Sequence, residues 1–126
     1  MATIVDIDDT LLRYGDQPIQ RVIDYVNALP GPKYIVTGRP ASTRAETVRQ
    51  LKSAGVRYSR LYMNPYSTSN SNKHKEEIAQ KLKGKVNLAI ENNPEQRAIY
   101  SKYGIKTKDP ATIKATKPVE KFWNLV

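Results

Sequence analysis

Short apolar segments alternate with segments of helical periodicity along most of the chain, and this alternation limits its possible folds more than any other feature. Residues 18–29, for example, place apolar side chains three and four residues apart, as one face of a helix does. Alternating strands and helices are typical of a parallel sheet with helices on both faces. We therefore predict an α/β fold whose five strands lie near 2 to 7, 33 to 37, 58 to 63, 86 to 91 and, less clearly, 105 to 107.

Four helices fill the gaps between these strands. The first is predicted to begin near Pro18 and to end before residues 30–32, Pro-Gly-Pro. The second carries apolar residues from Ala41 to Leu51 and ends at Gly55, the third begins near residue 72 and ends near 82, and the last runs from Asn93 as N-cap to Gly104. We expect a single domain over residues 1–126, in which the tail 109–126, with its Phe122-Trp123 pair, packs on the core.

Composition excludes several classes of protein and site. The 126 residues contain no cysteine and one histidine, His74, so thiolate and histidine-cluster metal sites are excluded. We expect His74 to be exposed. No window approaches the roughly 20 apolar residues of a membrane span, and the N-terminus lacks the pattern of a secretory signal. These observations predict a cytoplasmic protein whose metal ions, if any, are bound by oxygen.

Three carboxylates follow the first strand, in the segment Ile4-Val-Asp-Ile-Asp-Asp-Thr-Leu-Leu12. Alternation along an extended backbone places Asp6 and Asp8 on the same side, with Ile7 facing the core. Carboxylates this close repel one another, and hard divalent cations prefer oxygen ligands of this kind. A solvated turn is the alternative reading, but the segment favours a cation site at the carboxyl edge of the sheet.

This segment and three others, in the same order, resemble the motifs of the haloacid dehalogenase-like (HAD) phosphohydrolases. Residues 34–39, Tyr-Ile-Val-Thr-Gly-Arg, are similar to the second motif, and Lys75 stands where the third motif has its lysine. Residues 86–95 resemble the fourth motif, a strand that ends in acidic metal ligands. The resemblance implies a three-layer Rossmann-like fold. The gaps between the motifs leave no room for a cap domain.

The resemblance also implies the catalytic roles. Asp6 would attack phosphorus and form an aspartyl-phosphate, and Asp8 would protonate the leaving alcohol and then activate water. Mg²⁺, or Mn²⁺, would be held by Asp6, by Asp8 through its backbone carbonyl and by Glu91. Lys75 would balance the charge between the nucleophile and the phosphate.

Four further residues are implied to bind the phosphate. Thr37 and Gly38 would donate hydrogen bonds to its oxygens, and Arg39 would form a bidentate contact with it or with the next phosphate of a strand. Thr10 either takes part directly or only caps the turn, and Arg39 is otherwise a surface residue at the start of a helix. The polar loop 66–72 is expected to border the site.

The fourth motif departs from the family pattern, because Glu91 is followed by Asn92 where two acidic residues are common. Glutamate is longer than aspartate by one methylene, and Mg²⁺ demands near-ideal octahedral geometry. Asn92 and Glu95 are therefore additional candidate ligands. We expect weakened metal binding or a preference for Mn²⁺, without loss of the fold.

The net charge and the residues of the motifs together indicate the class of substrate. The net charge is +9, although residues 1–30 contain five acidic and only two basic residues. Within the family, the motifs look most like the phosphatase half of phage-type polynucleotide kinase-phosphatases, which implies action on nucleic acid 3′-phosphate ends or on nucleotides. Tyr62 and Tyr66 either stack on bases or are packing residues. The alternative is a weakened or inactive module that binds nucleic acid or another acidic partner.

Overall fold

The computed structural model describes residues 1–115, and the predicted contact of Phe122 and Trp123 lies outside them. The described part of the tail packs on the rest of the chain. Ile113 is buried, and its carbonyl oxygen accepts a hydrogen bond from Arg21 Nε at 2.9 Å. Among the described residues, no helix has both the length and the apolar character needed to cross a membrane.

A five-stranded parallel sheet forms the centre of the molecule. Its strands are β1 (Ala2–Val5), β4 (Lys33–Pro40), β5 (Arg60–Asn64), β6 (Val86–Ile90) and β7 (Lys106–Lys108), in the spatial order β5-β4-β1-β6-β7. Val5, on the central strand, pairs with Ile35 on one side and with Ile90 on the other. Strands β4 and β5 lie on one side of β1, and β6 and β7 lie on the other. The strand order therefore reverses beside β1, which is the topological switch point of the sheet. The predicted α/β class and five parallel strands are confirmed.

Four α-helices within residues 1–115 cover the two faces of this sheet. They are α1 (Gln20–Ala28), α2 (Arg44–Ser53), α3 (Ser71–Leu82) and α4 (Pro94–Lys102). Because successive strand residues point to opposite faces, Val5 packs with apolar residues of α1 and α2, while Ile4 packs with those of α3 and α4. The result is a three-layer sandwich with one apolar cluster on each side of the sheet.

A short hairpin follows β1 and was not predicted. Its strands, β2 (Leu12–Arg13) and β3 (Gln17–Pro18), have two residues each and pair antiparallel. Strands this short show no alternation in the sequence. β1 ends at Val5 rather than at residue 7, because the chain then turns tightly and the amides of residues 10, 11 and 12 all donate to Ile7 O. Within residues 1–115, the segments that join the sheet strands are this hairpin, the helices and short loops.

His74 is buried, with 3% exposure, so the expectation that it is exposed was wrong. It lies in α3 on the side that faces the sheet, and its Nε2 bonds Tyr62 O at 3.2 Å. Burial lowers the pKa of His74, which favours the neutral ring. Both His74 and Lys75 lie on the side of α3 that faces the sheet. The start of this helix is polar throughout, so its sequence does not show which side is buried.

Candidate active site

The carboxyl edge of the sheet contains an open cavity of about 310 Å³. Its lining comes from the ends of β1, β4 and β6 and from the start of α3, and includes Asp6, Asp8, Gly38, Lys75, Glu91 and Asn92. This is the edge, beside the topological switch, at which open α/β sheets bind ligands. The tertiary structure therefore brings residues from all four sequence motifs into one cavity.

A buried ion-pair triad lies at the base of this cavity. Lys75 Nζ is 2.8 Å from Asp6 Oδ1 and 2.6 Å from Glu91 Oε1. The three side chains are 2%, 8% and 1% exposed in the order Lys75, Asp6, Glu91. A single lysine thus compensates two carboxylates that arrive from neighbouring strands.

Burial and charge shift the pKa values in this triad. For Lys75, burial acts to lower the pKa, but Asp6 and Glu91 together outweigh it and raise the pKa. For Glu91, burial and the nearby Asp6 charge raise the pKa to about 7, against the opposing effect of Lys75. The Glu91 carboxyl therefore holds a proton more readily than an isolated one does.

The amide of Asn92 lies where three other oxygen atoms converge. With its nitrogen turned toward them, that atom lies 2.7 Å from Asp6 Oδ2 and 3.1 Å from both Asp8 O and Glu91 Oε2, so its two hydrogens have three acceptors within reach. With its oxygen turned inward, the same amide would complete a set of four oxygen atoms. Oxygen atoms are the ligands of Mg²⁺ and Mn²⁺, so this donor set fits a hard cation.

Side-chain carboxylates alone do not form such a site. Within residues 1–115, no three histidine, aspartate or glutamate side chains are grouped closely enough to hold a metal ion. Glu91 gives one oxygen to Lys75, and its other oxygen accepts from Asn93 N at 3.1 Å. Glu95 is exposed, and its Oε2 accepts from Asn72 at 3.0 Å. A cation here would rely on Asp6, the Asp8 carbonyl and Asn92, with water completing the shell.

Arg39 is engaged with Asp8 by two hydrogen bonds. Arg39 Nη2 donates to Asp8 Oδ1 at 2.9 Å, and Arg39 Nε donates to Asp8 Oδ2 at 3.1 Å. Thr47 and Gln50, both in α2, accept from the remaining nitrogen, Nη1. Since Asp8 is 53% exposed, this fork fixes a carboxylate that would otherwise be mobile.

The structure buries the two threonines. Thr37 is fully buried and its Oγ1 accepts from Arg39 N at 3.1 Å, and Thr10 is fully buried and its Oγ1 donates to Asp6 Oδ2 at 3.0 Å. Gly38, by contrast, lines the cavity, and a Cβ at this position would collide with Ser71 Oγ. A larger residue would have to displace the Ser71 hydroxyl, so glycine eases the close approach of β4 to the start of α3.

Some residues that line the cavity were not predicted individually from the sequence. Thr68 and Ser71, from the polar loop, do border the cavity, as expected. Gln96 also lines it and donates to Asn72 at 3.0 Å, but nothing in the sequence distinguishes it from a surface glutamine. Asp9, which also lines the cavity, has φ of 60°. Aspartate tolerates this left-handed conformation better than most residues do.

Comparison with known proteins identifies a solved structure that shares this fold. No model of a known protein family matches this chain, and no curated protein matches it. A chain in the structure of the Pnkp1/Rnl/Hen1 RNA repair complex is similar, with a TM-score of 0.70 and 22% sequence identity. The similar region covers 86% of this chain and 41% of that chain, so this chain spans less than half of its solved neighbour. At this identity, the similarity shows that the two share a fold.

Proposed function

We propose that this protein is a Mg²⁺-dependent phosphomonoester hydrolase of the HAD type, in which Asp6 is the nucleophile and an aspartyl-phosphate is the intermediate. The observation that carries the proposal is the Lys75 ammonium group held between Asp6 and Glu91, next to an oxygen-rich cluster in an open cavity. A surface cluster of acids would have no need of a buried lysine, because water would screen its charges.

Two aspartates carry the chemistry. Asp6 attacks phosphorus, the bond from phosphorus to the leaving oxygen breaks, and Asp8 gives that oxygen a proton. Asp8 then accepts a proton from the water that attacks the aspartyl-phosphate, which releases inorganic phosphate and restores Asp6. When bound, Mg²⁺ neutralises the repulsion between the carboxylate and the phosphate. Asp6, the Asp8 carbonyl and Asn92 would hold it.

Lys75 and Arg39 support these two residues in different ways. Lys75 holds one oxygen of Asp6, which fixes the rotamer of the nucleophile and offsets its charge. Arg39 binds both oxygens of Asp8, which fixes the position of this carboxylate, and one of the two contacts would open when Asp8 carries its proton. Gly38 and Ser71 both line the cavity, and the Gly38 amide and the Ser71 hydroxyl would bind phosphoryl oxygens.

Nucleic acid 3′-phosphate ends or nucleotides are the substrates that fit best. The cavity is open, so a bulky ester can reach it, and the net charge of +9 attracts polyanions. The solved neighbour belongs to an RNA repair complex, which supports the same class. Its shared fold is compatible with the resemblance of the four motifs to polynucleotide phosphatases.

A second candidate is a basic binding module without catalysis. It is favoured by the bidentate Arg39–Asp8 pair, which occupies the proposed acid, and by the Asn92 in place of a second acidic residue. Such a module would bind nucleic acid through charge alone.

Phosphate release separates the two candidates. Wild type is incubated with p-nitrophenyl phosphate and with a 3′-phosphorylated oligonucleotide, in Mg²⁺, in Mn²⁺ and in a chelator. We expect release that requires metal and is abolished in Asp6→Asn. Asp24→Asn, an exposed position in α1, is the matched control and should keep full activity. Absence of release from both substrates, together with salt-sensitive oligonucleotide binding, would establish the binding module instead.

A further inference from the structure

The hairpin between β2 and β3 presents an exposed aromatic ring. Tyr14 is 82% exposed, and only one other large hydrophobic side chain among residues 1–115, Met1, is exposed in this way. The backbone φ of Tyr14 is 54°, in the left-handed region that bulky residues avoid. The position thus combines an unfavourable backbone conformation with a ring that gains no burial. Neither property contributes to folding.

Contacts of Arg39 attach this hairpin to the candidate active site. Arg39 Nη2 donates to Gly15 O at 2.8 Å, and the same nitrogen donates to Asp8 Oδ1 at 2.9 Å. Gly15 directly follows Tyr14 and lines a depression that also contains Asp8 and Arg39. The residue after Tyr14 is thus bonded to the arginine that holds the proposed acid, which places the hairpin turn beside the candidate active site.

Tyr62 and Tyr66, the two tyrosines that the sequence offers for base stacking, have occupied rings. Tyr62 packs edge-on against Tyr34, with centroids 6.2 Å apart, and Lys81 Nζ lies 5.6 Å from its ring centroid. Lys73 Nζ lies 4.3 Å from the ring centroid of Tyr66, whose hydroxyl donates to Glu77. The exposure of Tyr14 leaves its ring faces open to a ligand.

Cationic groups accompany the hairpin. Arg13, which precedes Tyr14, is exposed, and Arg49 lines a depression together with Asp16 and Gln50. In proteins that bind single-stranded nucleic acid, bases stack on exposed aromatic rings while phosphates pair with cations, and this hairpin offers an open ring and an exposed arginine in adjacent positions. A flat aromatic ring offers little to a small phosphate ester without a base.

We infer that Tyr14 is a stacking platform for the nucleobase adjacent to the terminal phosphate of a nucleic acid strand. The inference rests on the proposed function only in placing that phosphate in the cavity. It selects strand ends, rather than esters without a base, as the substrates that bind well. Tyr14 is thus a specificity residue outside the four motifs.

Equilibrium binding tests this inference without requiring turnover. In an Asp6→Asn background, fluorescence anisotropy follows binding of a labelled 3′-phosphorylated hexanucleotide and of the same strand with an abasic terminal residue. Tyr14→Asn removes the ring and suits the positive φ, whereas Tyr14→Trp keeps an aromatic face. We expect Tyr14→Asn to weaken binding of the intact strand about tenfold and Tyr14→Trp to retain it. The abasic strand should bind the parent protein and both variants equally.

Two results would overturn the stacking role. One is that the intact strand binds Tyr14→Asn as tightly as it binds the parent protein, or that it binds neither protein. The other is an equal loss on the intact and abasic strands, which would assign the effect to the hairpin rather than to the base. Failure of the proposed catalysis is a separate result, because it is read from phosphate release by the protein with Asp6 intact.

Discussion

Lys75 Nζ lies 2.8 Å from Asp6 Oδ1, although 69 positions separate the two residues in the sequence. The contact is buried, and Glu91 completes it from a neighbouring strand. Because a buried charge is tolerated only when it is paired, each member of this triad depends on the others. The same contact that supports the proposed nucleophile is therefore part of the stability of the sheet edge.

Removal of the lysine should destabilise the protein. Lys75→Met leaves two buried carboxylates facing each other, and we expect a loss of about 3–5 kcal/mol in the free energy of unfolding. Adding Glu91→Gln should recover part of this loss, because one of the uncompensated charges is removed. Urea unfolding of the two single variants and the double variant measures the coupling. Strict additivity of the two substitutions would contradict the triad.

Substitution of Asn92 by aspartate should separate metal binding from folding. Asn92→Asp places a carboxylate beside Asp6 Oδ2 in place of an amide donor, so we expect a lower Tm in a chelator. In Mg²⁺ the added charge should strengthen binding, and the concentration needed for half-maximal stabilisation should fall about tenfold. The neighbouring Asn93→Asp is the control, since an aspartate can still cap α4. Equal Mg²⁺ dependence in both variants would exclude Asn92 from the site.

The role of Arg39 can be read from steady-state kinetics. Arg39→Lys keeps the charge but loses the bidentate fork to Asp8. If Arg39 orients the acid, kcat should fall, by up to about 100-fold, with little change in KM. A variant with unchanged kcat and a raised KM would instead show that Arg39 contacts the substrate phosphate.

His74 should make stability sensitive to acid. Its pKa is lowered by burial, with a further lowering by Lys75 that the Tyr62 carbonyl and Glu77 oppose. The unfolded chain therefore binds a proton at His74 more readily than the folded protein does. The stability that depends on a neutral His74 is fully present above about pH 6.5 and is lost as the pH falls below it. His74→Gln keeps a donor for Tyr62 O without the titration. Denaturant unfolding at pH 7.5 and 5.5 should show a smaller loss on acidification in the variant, and an equal loss would contradict the assignment.

Tyr100 provides a test of the core beneath the site. Its ring is fully buried, and its hydroxyl has no hydrogen-bond partner among the described residues. Burial, with the charges of Glu91 and Asp6, raises the pKa of Tyr100 far above its usual value, so the phenol stays neutral. Tyr100→Phe should therefore be neutral or stabilising by about 1 kcal/mol, whereas Tyr100→Ala should cost about 3–5 kcal/mol through the cavity it creates. A marked loss of Tm in Tyr100→Phe would reveal a partner for the hydroxyl.

Much of the fold could be predicted because it follows from local periodicity. Apolar segments such as residues 33–37 and 86–91 are long enough to show as buried strands, and the helices between them have visible ends, as at Asn93 and Pro94. The rule that ligands bind at the carboxyl edge then brought Asp6, Thr37 and Glu91 to the same place. For these reasons the sequence alone determined the α/β class, the parallel sheet and the edge at which the cavity lies.

The partners of each side chain were decided only by the tertiary structure. The motif resemblance implied that Lys75 serves the nucleophile and left Asn92 and Glu95 as alternatives. It did not indicate that Lys75 is buried between two acids, that Arg39 reaches Asp8, or that Asn92 rather than Glu95 meets Asp6. It also gave no sign of the hairpin that carries Tyr14, because two-residue strands have no periodicity to detect. Hydrogen bonds and ion pairs act over about 3 Å, so they depend on how distant segments pack, whereas strand and helix signals are properties of neighbouring residues.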